Sequence, residues 1–335
     1  MTKRRILLAV VFCLVGGLAI AALPDVRVWF DGFDTYAPGP LTPQSQWTIW
    51  YSGGLDATVV PAPAPFFSPP HSLFIVAASD VTYDFNNTPP GGRPNTGRWI
   101  FSVKTYVSRY ETGMGWVILM NQYMPTDGVD NWSMQVSFDA TTGLVTFMDF
   151  VGNPTLPLIY DQWVTFRAAV DLDNDRMDLF YGDQVLIAGK SWINGVSGGG
   201  VPVIAIVDLY GQDTTGMWMD DCSLYQDTAA AALTEADNRA VVLDALPNPA
   251  PAGANLAMTT MAPQLAGQAY ALFTWSVNGA PFIRPVWFGN LDATGRAQIA
   301  GPVPPGLGGI NVEFISFVAL PPGGIGDSPP ELVMF

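Results

Sequence analysis

The sequence predicts an all-β protein, a sandwich or jelly roll. Three observations lead there. Apolar and polar residues alternate with a period of two through many short runs, which is the signature of strands with one buried face. Glycine (34) and proline (29) are abundant without any repeat period, so turns are frequent. No convincing amphipathic helix interrupts the stretch from Asp31 to Tyr225. Roughly a dozen short strands in about 200 residues fit a sandwich or jelly roll.

Composition bounds the rest. Hydrophobic residues make up 49% of the 335 and charged residues 13%, enough apolar matter for real cores. Formal net charge is −15, from 14 basic and 29 acidic residues. Such a chain is repelled by nucleic acid and anionic lipid, so neither is an expected partner. Acidity resides in Asp, with Glu only at positions 111, 235, 313 and 331, which suits turns because Asp caps its own backbone. The two cysteines are Cys13 and Cys222.

Taken in order, residues 1–22 read as a secretory signal. A basic start (Lys3, Arg4, Arg5) precedes an apolar run ending in Ala19-Ile20-Ala21. The expected mature protein is extracellular or on the cell surface, without membrane insertion after cleavage. It contains Cys222 alone, which excludes an internal disulfide. Trp29–Phe30 opens the first strand, and Gln46–Trp50 is a second apolar segment. After a proline-rich loop, Ser72–Val76, Asp80–Phe85, Arg98–Tyr110 and Trp116–Tyr123 follow as strands. Trp132–Phe138 and Leu144–Met148 are joined by the turn Asp139–Gly143. Trp163–Gly182 reads as a long hairpin, with Val164, Phe166, Ala168 and Val170 on one face and Trp163, Thr165 and Arg167 on the other. Val201–Tyr210 and Met217–Tyr225 close the set.

Residues 228–250 change character and read as a linker ending in Leu246-Pro247-Asn248-Pro249. Residues 251–335 then form a second, smaller sandwich. In it Tyr270–Val277, Asn278-Gly279 and Phe282–Phe288 are a hairpin with a type I′ turn, and Pro285 assigns its second strand to an edge.

The ordered set of Asp31-Gly32-Phe33-Asp34, Gln46-Trp47, Ser68–Leu73, Trp163-Val164 with Arg167, Phe180-Tyr181-Gly182 and Met219–Leu224 resembles secreted bacterial concanavalin A-like, laminin G-like jelly rolls over about residues 29–226. The resemblance implies a concanavalin A-like jelly-roll sandwich at 25–227 with the small β-sandwich appended. It also implies two curved antiparallel sheets, often a structural calcium and often glycan binding on the concave sheet. Some such domains are glycoside hydrolases, and the fold does not choose among these roles.

Candidate chemistry is sparse. Glycoside hydrolases of the resembling fold carry Glu-x-Asp-x-x-Glu on one strand, and no such motif exists here; a noncanonical Asp pair stays open. His71, the one histidine, has no Gly-x-Ser-x-Gly partner for a triad and cannot build a zinc site. Asp171–Asp175 lacks the Gly and Glu of an EF-hand loop and reads as a hairpin tip. In such jelly rolls the first and last strands lie side by side, which would bring Asp31 or Asp34 near Asp220 and Asp221, with Asp34, Asp220 and Asp221 the expected ligands for a structural Ca2+. Trp99, Tyr106, Trp116, Tyr123, Trp132 and Trp163 are candidate sugar platforms, with Asn121, Gln135 and Arg167 as hydrogen-bonding partners. Core packing competes for each aromatic. The expected function is a secreted, non-catalytic, lectin-like protein binding a polysaccharide or glycoconjugate. The alternatives are a structural or adhesive extracellular protein, and a glycoside hydrolase with noncanonical carboxylates.

Overall fold

The structure is a computed structural model that describes residues 26–51, 53–87, 92–149, 152–182, 184–227, 241–246, 248–262, 265–319, 325–328 and 331–335. The predicted signal segment, and residues 228–240 of the predicted linker, lie outside these.

The described residues are all-β, with short 3-10 turns at Thr42–Gln44 and Phe85–Asn87. No described helix is long and apolar enough to cross a membrane. The first sixteen strands are β1 (Val26–Asp31), β2 (Gly39–Pro40), β3 (Thr48–Ile49), β4 (Thr58–Pro61), β5 (His71–Ile75), β6 (Asp80–Asp84), β7 (Arg98–Tyr106) and β8 (Met114–Met124), then β9 (Val129–Asp139), β10 (Leu144–Phe147), β11 (Thr155–Pro157), β12 (Trp163–Asp171), β13 (Arg176–Tyr181), β14 (Gln184–Lys190), β15 (Ile206–Gly211) and β16 (Met217–Asp227). They form two antiparallel sheets, the concanavalin A-like jelly roll. The nine-stranded sheet runs β14-β13-β12-β7-β16-β5-β4-β2, with β1 also on β16. The seven-stranded sheet runs β11-β10-β9-β8-β15-β6-β3.

Period-two alternation fills the space between them. Val103, Phe166, Leu179 and Leu224 from the larger sheet meet Val81, Val117, Leu119, Val136 and Leu209 from the smaller. Cys222 is buried in this cluster, where it packs as a small hydrophobe. The first and last strands do lie side by side, with Asp31 opposite Cys222.

The second sandwich comprises β17 (Val242–Leu246), β18 (Asn255–Met261), β19 (Ala269–Val277), β20 (Ala280–Asn290), β21 (Arg296–Pro302), β22 (Asn311–Ala319), β23 (Ile325–Asp327) and β24 (Glu331–Met334). One sheet is β17-β18-β21; the other is β20-β19-β22-β23, with β24 on β22. β17 falls inside the stretch read as linker, yet it pairs with β18, so the second sandwich starts earlier than residue 251. The hairpin turn is type I′, with Asn278 and Gly279 both at positive φ, and β20 is an edge strand.

The second sandwich packs on the outer face of the nine-stranded sheet. Met261 meets Ile100, Ala169 and Phe180 there. Beside this contact, Arg167 pairs with Asp244 (3.1 Å) and Glu331 (2.7 Å), and Lys104 pairs with Glu331 (2.8 Å), all four residues buried. That docking buries every residue of β12. The hairpin face of Trp163, Thr165 and Arg167, which alternation alone leaves facing solvent or a groove, is therefore covered.

Candidate functional site

The outer face of the seven-stranded sheet carries the site. Val207 and Leu209 point into the core, so Asp208 between them points out. Val81 likewise sends Asp80 and Thr82 outward. In the ladder Asp208 stands opposite Thr82 on one side and Ile118 on the other, while Asp80 is opposite Tyr210. Asp80 and Asp208 are thus diagonal neighbours on adjacent strands, on the same face and close enough for their carboxyls to perturb each other. Asp208 is only 4% exposed, and one oxygen of each carboxyl has no partner among the described residues.

Two carboxyls in contact cannot both ionise cheaply. Burial, then the neighbouring Asp80 charge, pushes the Asp208 carboxyl well above the usual range. Asp80 is half-buried and pushed up to about 6, chiefly by desolvation. The pair is therefore biased toward sharing one proton, held on Asp208: one group can give it and the other can accept one.

Local structure presses this pair into place. The turn Trp50–Leu55 is clamped to the start of β6, with Trp50 N–H donating to the Asp80 carbonyl (2.9 Å) and Asp80 N–H to that of Leu55 (2.9 Å). A Cβ on Gly54 would sit 2.3 Å from that of Asp80, so only glycine permits this approach. The turn sets Trp50 against Tyr51 and Tyr123, with ring centroids 5.0 and 5.4 Å away, and the Tyr51 hydroxyl donates to Asp130 (2.5 Å).

Trp116, Ile118, Met120, Tyr123 and Ile206 form one buried cluster on this face, with Trp50, Trp132 and Tyr210 packed against it. The Trp116 indole N–H has no partner among the described residues. Gln135 is half-buried opposite Ile118. Residues 193–200 fold over one end: Val196 and Ser197 donate backbone N–H groups to the Trp132 carbonyl (3.1 and 2.9 Å). Asn121 donates to Ser133 (2.7 Å), where the β8–β9 register slips.

Five predicted sugar-site residues, Trp116, Tyr123, Trp132, Asn121 and Gln135, thus belong to one sheet, β8 and β9. Trp163 and Arg167 do not join them. Trp163 is buried against Phe67 and Tyr106, and Arg167 is tied to the second sandwich. Their assignment to a sugar site is corrected accordingly.

The predicted calcium ligands do converge. The Ser68 hydroxyl lies 2.7 Å from Asp221, 3.3 Å from Asp34 and 3.5 Å from Asp220. Asp220 also accepts N–H groups from Phe67 (2.7 Å), Ser68 (3.1 Å) and Asp221 (2.8 Å). A hydroxyl stands where the carboxylates meet, and backbone donors hold Asp220. Among the described residues no group of three or more His, Cys, Asp or Glu is placed to hold a metal ion. The residues as arranged do not fit calcium. Burial, and then Asp221, pushes the Asp220 carboxyl up to about 9.

Two other features have plain roles. The hairpin-tip aspartates tie loops together: Asp173 accepts Gly97 N–H (2.9 Å), and Asp175 accepts Ser191 (2.6 Å) and Ile193 (2.6 Å). A cavity of about 440 Å3 lies at the seam of the two sandwiches, lined by Gln184, Val185, Met261 and Arg296 among others, and not by the carboxylate pair.

Sequence reasoning missed Asp80, Asp208, Trp50 and Tyr210. A signal existed for Asp208: one carboxylate inside Ile206-Val207-Asp208-Leu209, a central strand, is costly without a partner.

No family model matches the chain, and no curated protein matches it in sequence. Solved structures do match. One is a sialidase (TM-score 0.41, 7% identity), aligned over 62% of this chain and 19% of its own, so the chain spans about a fifth of that enzyme. Another is an apo Crh5 transglycosylase (TM-score 0.36, 12% identity, 63% and 90% of the two chains). A third is SCLam, a non-specific endo-β-1,3(4)-glucanase of family GH16 (TM-score 0.33, 15% identity, 62% and 96%). At these values the likeness speaks to the fold. All three are enzymes by name, and the expectation of a non-catalytic, lectin-like protein is corrected: of its alternatives, a hydrolase with noncanonical carboxylates is the one they accord with.

Proposed function

We propose that the chain is a glycan-processing enzyme, a glycoside hydrolase whose noncanonical carboxylates are Asp80 and Asp208. The observation that carries this reading is the adjacency of the two carboxyls on an aromatic-rimmed sheet face, where burial and mutual repulsion favour one proton held on Asp208. The buried Asp208 keeps the proton and serves as the acid toward a glycosidic oxygen. Asp80, more exposed and ionised above about pH 6, bears the negative charge that steadies an oxocarbenium-like transition state; as the glycosidic bond breaks, water adds at the anomeric carbon and its proton returns to the Asp208 carboxylate. Side by side on one sheet face, the two carboxyls act from one side of the substrate and do not flank the bond. Trp132, half-buried at the rim of the buried cluster, offers ring surface for pyranose C–H faces, and Gln135 offers an amide.

The test is reducing-end release from a polysaccharide panel by wild type, Asp208→Asn and Asp80→Asn. Each variant is expected to lose roughly 100- to 10,000-fold in rate with unchanged circular dichroism. Full activity in both variants would end the proposal.

A further inference from the structure

We infer that this site selects an uncharged glycan and rejects carboxylated or sulfated ones; the inference rests on the reading of the seven-stranded face as a glycan site. Charge is divided unequally between the two sheets. None of the seven strands β3, β6, β8, β9, β10, β11 and β15 contains an Arg or Lys, whereas they contain Asp80, Asp84, Asp130, Asp139 and Asp208. The nine-stranded sheet holds Arg27, Arg98, Lys104, Arg167, Arg176 and Lys190 in its strands.

Loops do not redress this. Arg93 reaches the seven-stranded face, but its guanidinium is committed to both Asp84 oxygens (2.9 and 2.8 Å) and the Tyr123 carbonyl (3.0 Å). Lys190, from the other sheet, ends on Asp149 (2.7 Å). An anionic sugar set against Trp132 would meet Asp80, Asp130 and Asp208 with no free cation offered by the sheet. Even with Asp208 protonated, the face stays negative. Like charges brought together in a partly dry site suppress the wrong ligand. The orphaned groups there, the Trp116 indole N–H and the Asp80 and Asp208 oxygens, match hydroxyl groups, which both donate and accept.

The test is affinity electrophoresis of the full chain against pairs of polymers that share a backbone: laminarin with sulfated laminarin, and methyl-esterified with de-esterified polygalacturonan. Reducing-end release is measured in parallel, and circular dichroism verifies folding. The expected result is retention by at least one neutral member at least about tenfold stronger than by its anionic partner, the gap narrowing as salt screens the repulsion. Equal or stronger retention by the anionic member, or no retention by any polymer, overturns the inference. Selective retention of a neutral polymer without bond cleavage in any sample leaves the inference standing and removes the hydrolase reading. Asp130→Lys supplies a second readout that does not depend on the catalytic pair. It places a cation at the rim and is expected to raise retention of the anionic members by several-fold; no change would count against charge as the selector.

Discussion

Asp80 and Asp220 are both carboxyls raised by burial beside another Asp, yet they predict different pH effects. At Asp80, pushed up to about 6, the working form is the singly protonated pair with Asp208. Activity is expected to fall as pH drops through about 6, because the pair then takes up a second proton, and that limb should vanish from the residual activity of Asp80→Asn. A pH–rate profile flat from 5 to 7 would refute this. At Asp220, pushed up to about 9, the effect is on stability. Between about pH 4 and 9 the folded chain keeps a proton that the unfolded chain has released. Its stabilising contribution is complete below about 4 and is lost as pH rises through about 9. Asp220→Asn removes the ionisation, so its melting temperature relative to wild type should improve from pH 5 to pH 9. An equal shift at both values would show that the proton is not held there.

Strands differ in how much of their environment the sequence reveals. The jelly-roll pairing of first and last strands, and with it the approach of Asp34 to Asp220 and Asp221, follows from the order of motifs, because a closed sandwich brings its chain ends together. The hairpin at Asn278-Gly279 is equally legible, since only residues that tolerate positive φ satisfy a two-residue turn. β12 is not. Alternation identifies its two faces but says nothing of what covers the second, and here another sandwich does. The catalytic candidates were hidden for a related reason: Asp80 and Asp208 lie more than a hundred residues apart, and only the ladder makes them neighbours. At the buried junction, Arg167 is held by carboxylates from β17 and β24. Arg167→Ala leaves Asp244 facing no guanidinium and removes one of the two cations paired with Glu331, and is expected to destabilise the chain by about 3–5 kcal/mol. Chemical denaturation measures it, and a loss below about 1 kcal/mol would mean the junction is open to water in solution.

Across the whole molecule the two sheets of the jelly roll have been put to different uses. The nine-stranded sheet spends its outer face on the second sandwich, through Ile100, Phe180 and the ion pairs of Lys104 and Arg167. The seven-stranded sheet keeps its outer face for the carboxylate pair and its aromatic rim. The second sandwich is therefore a structural support for the first. Its removal would leave two buried cations without carboxylates and an apolar patch in water. Residues 26–227 alone are expected to melt well below the full chain and to bind a hydrophobic dye, whereas the full chain should unfold in one calorimetric transition. The Asp80–Asp208 pair lies on the opposite sheet, so any residual activity of the folded fraction should keep the full chain's pH dependence. Two separate transitions in the full chain, with the first sandwich as stable alone as when joined, would show that the junction contributes nothing and that the two sandwiches are independent bodies on one chain.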